Sequence, residues 1–320
     1  MKIVIIGGGP AAVESAVSAR KNAPEAVVDI YSAENTLPYR RPALSGLLAK
    51  DRKIDAKTFY IKSADFFAAE KIGFHPGYTA KSIQGKNIVF ASGEKVPFDK
   101  LIFANGGNAV RPGIPGSENG FTLRNLSDME MIVARLDAGV KNAVIIGGGV
   151  LGLEIADSLL TREINTVVLE AADQLFPGKL SADDAANLLA RVNALKNLLV
   201  ICGKCTARIT DHSVTLADGT EFPADIVILA TGSRPDTTLA QSAGVKCNRG
   251  VIVNEFMQSS NADIFACGDT AEADGKCFNL YMDAMASGKT AGANAAGVQT
   301  VFAAKPSPVR LMALGEKLVM

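Results

Sequence analysis

The chain opens on an unbroken apolar run, Ile3-Val4-Ile5-Ile6, then Gly7-Gly8-Gly9, then apolar residues Ala12, Val13, Ala16 and Val17 at helical spacing. A short β-branched run without alternation predicts a strand buried on both faces, and the change to a helical period predicts strand, turn and helix. Pro10 suits the first helical turn, Arg20 and Lys21 suit the last, and Pro24 stops the helix. Ala26–Tyr31 is the second strand. The theme returns at Val144-Ile145-Ile146 and Gly147-Gly148-Gly149, with Leu153, Ile155, Ala156, Leu159 and Leu160 as the helix and Asn165–Leu169 as its second strand. Asp65 to Lys71 reads as a helix, Ile72–His75 begins a strand, and Tyr78–Ile83 is expected to continue the same sheet. Ile88–Phe90 and Lys95–Phe98 form a hairpin around Ser92-Gly93. Asp128–Leu136 and Ser181–Leu195 read as helices, Leu198–Ile201 and Ala207–Ile209 as strands, and Val214–Leu216 as part of a hairpin turning at Asp218-Gly219. Three further apolar runs end in turns: Leu101–Ala104 in Asn105-Gly106, Ile226–Ala230 in Thr231-Gly232, and Ile264–Cys267 in Gly268-Asp269. A helix follows from about Met282 to Ala296.

Each glycine turn has the residues needed to hold a pyrophosphate. The first glycine permits the tight turn, the second lets backbone N–H groups approach the phosphates, and a small third residue, Ala12 or Gly152, lets helix and strand pack closely. One such motif is a weak signal; two, each between strand and helix, are a strong one. Two dinucleotides on one chain imply electron transfer between them, most simply from nicotinamide to flavin. A carboxylate past the second strand then grips ribose hydroxyls. In the second copy Glu170 stands there, and no Arg or Lys follows in Ala171-Ala172-Asp173, which favours NADH over NADPH. In the first copy the tip reads Ser32-Ala33-Glu34, and Glu34 is the candidate.

The 320 residues carry 33 basic and 33 acidic side chains, a formal net charge of zero, which argues against nucleic acid as a partner. No apolar run reaches the roughly 18–20 residues that span a bilayer. The first strand begins at the N-terminus, so a cleavable signal peptide is not expected. Five cysteines, an odd number, suit a reducing compartment, read as the cytoplasm. Cys202-Gly203-Lys204-Cys205 is read as structural, because it follows the second glycine motif and bridges two predicted strands. No metal site is expected, and His75 and His212 are read as structural.

The run Leu37-Pro38-Tyr39-Arg40-Arg41-Pro42-Ala43-Leu44-Ser45 resembles the L-P-Y-x-R-P-x-L-S segment of FAD-dependent pyridine nucleotide reductases, in the branch of rubredoxin reductase, ferredoxin reductase and apoptosis-inducing factor. Asn105-Gly106 resembles the end of that family's A-T-G strand, with Asn in place of Thr, and Ala230-Thr231-Gly232 carries the full signature. The resemblance implies an α/β fold of two Rossmann-like three-layer domains, the NADH domain inserted in the FAD domain. On this chain these are 1–110 and 241–300 for FAD and 111–240 for NADH, with 301–320 as the start of an absent or truncated C-terminal domain. It assigns Gly7, Gly8, Gly9, Pro10, Ala11, Ala12, Arg41, Pro42, Ala80, Asn105, Gly106, Arg124, Asp269, Leu280 and Tyr281 to FAD; the family's ribose carboxylate falls on Ala33, and Glu34 beside it is the substitute. Ala80 would meet the adenine through its backbone, Asp269 would accept from the ribityl chain, and the helix after Tyr281 would aim its N-terminus at the flavin ring. Gly147, Gly148, Gly149, Val150, Leu151, Glu170 and Gly232 fall to NADH. Glu154 would lie near the nicotinamide and flavin, where Gly46 stands in place of a lysine found in some relatives.

The disulfide reductases place two cysteines after the first ribose strand, and the peroxidase and coenzyme-A disulfide branch places one near Ser45; this sequence has neither. The expected function is therefore transfer of electrons from NADH through FAD to a small protein acceptor such as rubredoxin or ferredoxin, with no side-chain acid or base required. The alternatives are an NADH oxidase using oxygen, a module of a nitrite reductase, and a slow flavin-binding sensor. Oligomeric state is left open.

Overall fold

The computed structural model describes residues 1–303 and 307–320. In chain order the framework is β1 (Lys2–Ile6), α1 (Pro10–Asn22), β2 (Val27–Ser32), β3 (Ile72–Pro76), β4 (Lys100–Phe103), β5 (Phe121–Thr122), α2 (Leu126–Asp137), β6 (Asn142–Ile146), α3 (Val150–Leu160), β7 (Asn165–Leu169), α4 (Ala182–Asn193), β8 (Leu198–Ile201), β9 (Ile226–Leu229), β10 (Ile264–Ala266) and α5 (Tyr281–Ala295). These sort into two compact units. Unit 1 comprises Met1–Arg40, Asp55–Asn108 and Ser233–Ser307; unit 2 comprises Arg41–Ile54, Ala109–Gly232 and Pro308–Met320.

Unit 1 is built on a five-stranded sheet of order β10-β4-β1-β2-β3, parallel throughout. The unalternating apolar runs are explained by burial on both faces: Ile3, Ile5, Ile30, Leu101, Ile102 and Phe103 are inaccessible to solvent. Helices α1 and α5 form one layer. An antiparallel sheet of Ala80–Gln84, Asn87–Phe90 and Lys95–Pro97 forms another, and its Ile83, Ile88, Phe90 and Val96 enter the same core. This corrects one expectation. The stretch Tyr78–Ile83 does not continue the parallel sheet, because Gly77 turns the chain at φ +79° and Ala80–Gln84 pairs with the following hairpin.

Unit 2 repeats the plan with the order β8-β7-β6-β9-β5, again all parallel. A three-stranded antiparallel sheet of Thr206–Ile209, Ser213–Leu216 and Glu221–Pro223 shares a core with it through Val214, Leu216, Val144, Ile146, Val227 and Leu229. Two further segments pack on α3. The 3-10 turn Ser45–Leu48 is held by Ser158 Oγ, which donates to Ser45 O at 2.8 Å, and by Arg162 Nε, which donates to Leu48 O at 2.6 Å. The hairpin of Arg310–Ala313 and Glu316–Val319 is held by Leu314 N, which donates to Asp157 Oδ1 at 2.9 Å, and by the Arg191 fork on the Glu316 carboxylate at 2.7 and 3.0 Å. Among the described residues no helix is long and apolar enough to cross a membrane, and no group of His, Cys, Asp or Glu is placed to hold a metal.

Candidate functional site

Each unit carries its glycine turn at the C-terminal edge of its parallel sheet, between β1 and α1 in one and between β6 and α3 in the other. That edge is where open α/β sheets receive nucleotides. Gly7 has φ +136° and Gly147 φ +112°, both in the region that favours glycine. A Cβ on Gly7 would overlap Ala104 O, and one on Gly147 would overlap Ala230 O, so each turn is pressed against the neighbouring strand end. Gly9 and Gly149, the N-caps of α1 and α3, have open space where a Cβ would stand. Neither helix start has a side-chain cap, and α1 enters on Pro10. The first N–H groups of both helices therefore face outward without side-chain acceptors, and the space suits a phosphate. Gly152 is fixed by packing, since a Cβ there would overlap Gly147 O. Ala11 and Ala12 are buried under the first turn, and Val150 and Leu151 start the second helix.

The strand ends flanking β1 complete the site in unit 1. Asn105 follows β4 and donates from Nδ2 to Asp236 O at 2.9 Å; its Oδ1 is shielded and has no hydrogen-bond partner among the described residues. Gly106 N donates to Thr270 Oγ1 at 2.6 Å, and that hydroxyl donates to Gly106 O at 3.0 Å. This pair ties the end of β4 to the turn Gly268–Thr270 that follows β10 and carries the half-buried Asp269. Gly268 packs on α1 so tightly that a Cβ would crowd the Cβ of Ala11 at 2.8 Å. Leu280 caps α5 and Tyr281 is its first residue. Burial raises the Tyr281 phenol above its ordinary range, against the opposing pull of Arg40. Ala80 starts the antiparallel sheet opposite Phe90.

The two second strands end differently. β1 pairs Ile6 with Tyr31, and β6 pairs Ile146 with Leu169, so Ser32 and Glu170 occupy the same register position. Glu170 Oε2 accepts from Gly148 N at 2.7 Å and Oε1 from Ala172 N at 2.9 Å. The carboxylate is thus locked beside the glycine turn. Ser32 is 2% exposed, and a Cβ on Gly8 would overlap its Oγ. Glu34 lies two residues further on, where its Oε2 accepts from Tyr39 Oη at 2.5 Å. The register position holds an uncharged serine, so the sequence points instead to Glu34, the first carboxylate past β2.

The Pro-Tyr-Arg-Arg-Pro run divides between the units at Arg40 and Arg41. In unit 2, Arg41 Nη1 donates to Arg124 O at 2.7 Å, which holds together two arginines that the resemblance assigns to the flavin nucleotide. Pro42 lies in the turn Arg41–Ala43. Arg124 N donates to Asp128 Oδ2 at 2.7 Å. Glu154 on α3 is half-buried and hydrogen-bonded with Ser45 Oγ at 2.8 Å, a partnership that no sequence motif signals. Gly232 ends the strand-end signature of unit 2, where Thr231 Oγ1 donates to Val110 O at 2.7 Å.

All five cysteines are free. Burial, then the Glu170 charge, raises the Cys202 thiol, which opposes the thiolate that redox chemistry needs. Cys267 is fully buried beside Ser15, and burial pushes its thiol up to about 12. His75 stacks on Tyr31 with ring centroids 4.3 Å apart and lies 3.3 Å from Asp29. His212 sits in an exposed turn, its N–H donating to Thr210 Oγ1 at 3.3 Å.

Comparison with known proteins follows these same features. Residues 1–305 match the family model described as pyridine nucleotide-disulphide oxidoreductase. The chain is 32% identical over 314 residues to NADH-rubredoxin oxidoreductase of Clostridium acetobutylicum, covering 96% of this chain and 78% of that one. It is 31% identical over 310 residues to the nitrite reductase [NAD(P)H] of Bacillus subtilis, covering 93% of this chain but 38% of that protein. Among solved structures, an NAD-dependent persulfide reductase from A. fulgidus superposes with a TM-score of 0.90 at 25% identity, over 98% of this chain and 62% of the other. A match that runs through both glycine turns and past Asp269 identifies the chain as a member of the pyridine nucleotide-disulphide oxidoreductase family.

Proposed function

We propose that the chain binds FAD in unit 1 and NADH in unit 2, and passes electrons from NADH by way of the flavin to a small redox protein of the rubredoxin or ferredoxin class. The observation that carries this reading is the pair of glycine turns, each at the carboxyl edge of its own parallel sheet with an open Cβ position at the helix start. The rubredoxin reductase relative supports the protein acceptor. So does the lack of a cysteine near Ser45, where the peroxidase and coenzyme-A disulfide branch places one. Bound flavin would take a hydride from the nicotinamide and release its two electrons singly.

The residues of this chain do the binding and the selection. In unit 1, Gly7, Gly8 and Gly9 with the start of α1 hold the pyrophosphate; Asp269 accepts from the ribityl chain; Glu34, or Ser32 at the register position, meets the ribose. The start of α5, at Leu280 and Tyr281, sets its positive dipole end toward negative charge on the ring. In unit 2, Gly147, Gly148 and Gly149 with Val150 and Leu151 hold the second pyrophosphate. Glu170, held on Gly148 N and Ala172 N, accepts from a free ribose hydroxyl and repels a 2′-phosphate. Five free cysteines fit a reducing compartment, which we take to be the cytoplasm. A second reading, a module of a larger nitrite reductase, is favoured by the match to 38% of such a protein.

Anaerobic mixing of the flavin-loaded protein with NADH, and separately with NADPH, tests the reading. The visible flavin band should bleach with NADH at least about tenfold faster than with NADPH, given one like-charge contact against the extra phosphate. Oxidised rubredoxin or ferredoxin should then restore the band. A flavin-loaded protein that NADH does not bleach overturns the proposal.

A further inference from the structure

In unit 2 the segment that follows the Ser45–Leu48 turn is a cationic ledge on a fixed base. Ser158 and Arg162 hold the turn, and Lys50 N donates to Thr161 Oγ1 at 2.9 Å, just past the end of α3. Arg52 N then closes a turn on Ala49 O at 3.4 Å, with Asp51 at φ +59°, a backbone region uncommon for a residue with a side chain. Every residue from Lys50 to Ile54 is exposed.

Lys50, Arg52 and Lys53 stand in this stretch against one carboxylate, Asp51. None of the three cations has an ion pair among the described residues, whereas Arg162 meets Asp137 at 2.6 Å and Lys204 meets Asp218 at 2.6 Å. The chain as a whole is neutral, so the excess here is a local field and not a share of a general positive charge. Ile54 adds an exposed apolar side chain at the end of the ledge. A small free anion needs donors that converge on it; these cations are spread along successive exposed residues. They fit an extended partner with an acidic face. The charges guide its approach and set its orientation, and the apolar side chain is the contact that docking dries. The ledge is also continuous with Ser45, the partner of Glu154, which the resemblance places near the nicotinamide and flavin. Resting on the reading of the chain as a reductase of a small redox protein, we infer that Lys50, Arg52, Lys53 and Ile54 form the docking surface for an acidic face of that acceptor.

The test separates docking from chemistry. The flavin-loaded wild type is compared with a charge-reversed variant, Lys50→Glu/Arg52→Glu/Lys53→Glu, and a charge-conserving one, Lys50→Arg/Arg52→Lys/Lys53→Arg. Each is reduced anaerobically with NADH and offered an acidic rubredoxin or ferredoxin, or benzoquinone as a small neutral acceptor. All should bleach with NADH and reduce benzoquinone at the wild-type rate. At low ionic strength the charge-reversed protein should reduce the acidic carrier with kcat/KM lowered roughly five- to twentyfold, and the charge-conserving one should stay within about twofold of wild type. In about 0.5 M salt, where the screening length is about 4 Å, the gap should close to about twofold. Should the triple reversal not fold, Lys53→Glu alone should lose about two- to fourfold at low salt. Equal carrier rates for wild type and charge-reversed protein at low salt overturn the inference; binding to phosphatidylserine vesicles by the wild type alone would then assign the ledge to a membrane surface. A loss shared by benzoquinone, or one that salt does not relieve, also overturns it. A wild type that NADH bleaches but the carrier never reoxidises overturns the protein-acceptor reading and this inference with it, whereas carrier reduction indifferent to the ledge overturns this inference alone.

Discussion

Burial pushes the carboxyl of Glu154 above its ordinary range; the Ser45 hydroxyl opposes the rise and Asp157 adds to it. The folded state therefore holds this proton more tightly than the unfolded chain does. That preference stabilises the fold fully below the unfolded glutamate value and is lost as pH rises through the folded one. Glutamine in its place keeps a neutral hydrogen-bonding head at every pH. Glu154→Gln should melt with the wild type near the ordinary glutamate range and about 1–3 °C above it at neutral pH. Calorimetry at the two pH values checks this, and a difference independent of pH would refute it. This pairing also marks the limit of reading single residues from sequence. The glycines, Asp269 and Glu170 stand out by residue type and place. The partner of Glu154 is Ser45, 109 residues away, and only tertiary packing of the Ser45–Leu48 turn on α3 brings them together. Ser32 was hidden for a simpler reason: the search was for a carboxylate, and the register position opposite Glu170 carries a serine, with the nearest carboxylate two residues on at Glu34.

At the scale of elements, the strands and the starts of both nucleotide helices were legible because local chemistry dictates them. Unalternating β-branched runs need two covered faces, and glycine turns need no partner to be recognised. The fit between α1 and α5 was not legible. Gly288 and Gly292 lie inside α5, where glycine weakens a helix. Their reason is tertiary: a Cβ on Gly288 would overlap Ala11 O, and one on Gly292 would overlap Ser15 O. The two backbones approach so closely that α1 offers no side chain able to move aside. Gly292→Ala should thus lower stability by about 1–3 kcal/mol, although alanine is the better helix former. Gly46→Ala, with open space around the added methyl, should stay within about 0.5 kcal/mol of wild type. Urea unfolding of the two variants decides; a Gly292→Ala protein as stable as wild type would show that the helices can separate cheaply.

Across the whole molecule, the two units share one topology with a single change in how the chain supplies it. In each, the glycine strand lies between its second strand and the strand that ends in the Asn-Gly or Thr-Gly turn. The outermost strand beyond that turn comes from late in the chain in unit 1, as β10, and from before the glycine strand in unit 2, as β5. Sequence shows the repeat through its glycines; it does not show β5, which is a strand of two residues, Phe121–Thr122. A duplicated plan with diverged strand ends predicts separable functions. Alanine at Gly7 and at Gly147 introduces the same fault in each turn: a side chain at positive φ, driven into the carbonyl of Ala104 or Ala230. If unit 1 holds the flavin and unit 2 the nicotinamide, the outcomes must differ. Gly7→Ala should purify with little or no flavin while keeping a cooperative melt. Gly147→Ala should keep the flavin spectrum and be bleached fully by dithionite, yet be reduced by NADH at least about tenfold more slowly, because misplacing one reactant forfeits the orientation on which transfer depends. Absorbance of the purified variants followed by anaerobic stopped flow distinguishes these results. Loss of flavin from Gly147→Ala, or normal NADH reduction of a flavin-bearing Gly7→Ala, would mean that the division of labour between the units is drawn in the wrong place.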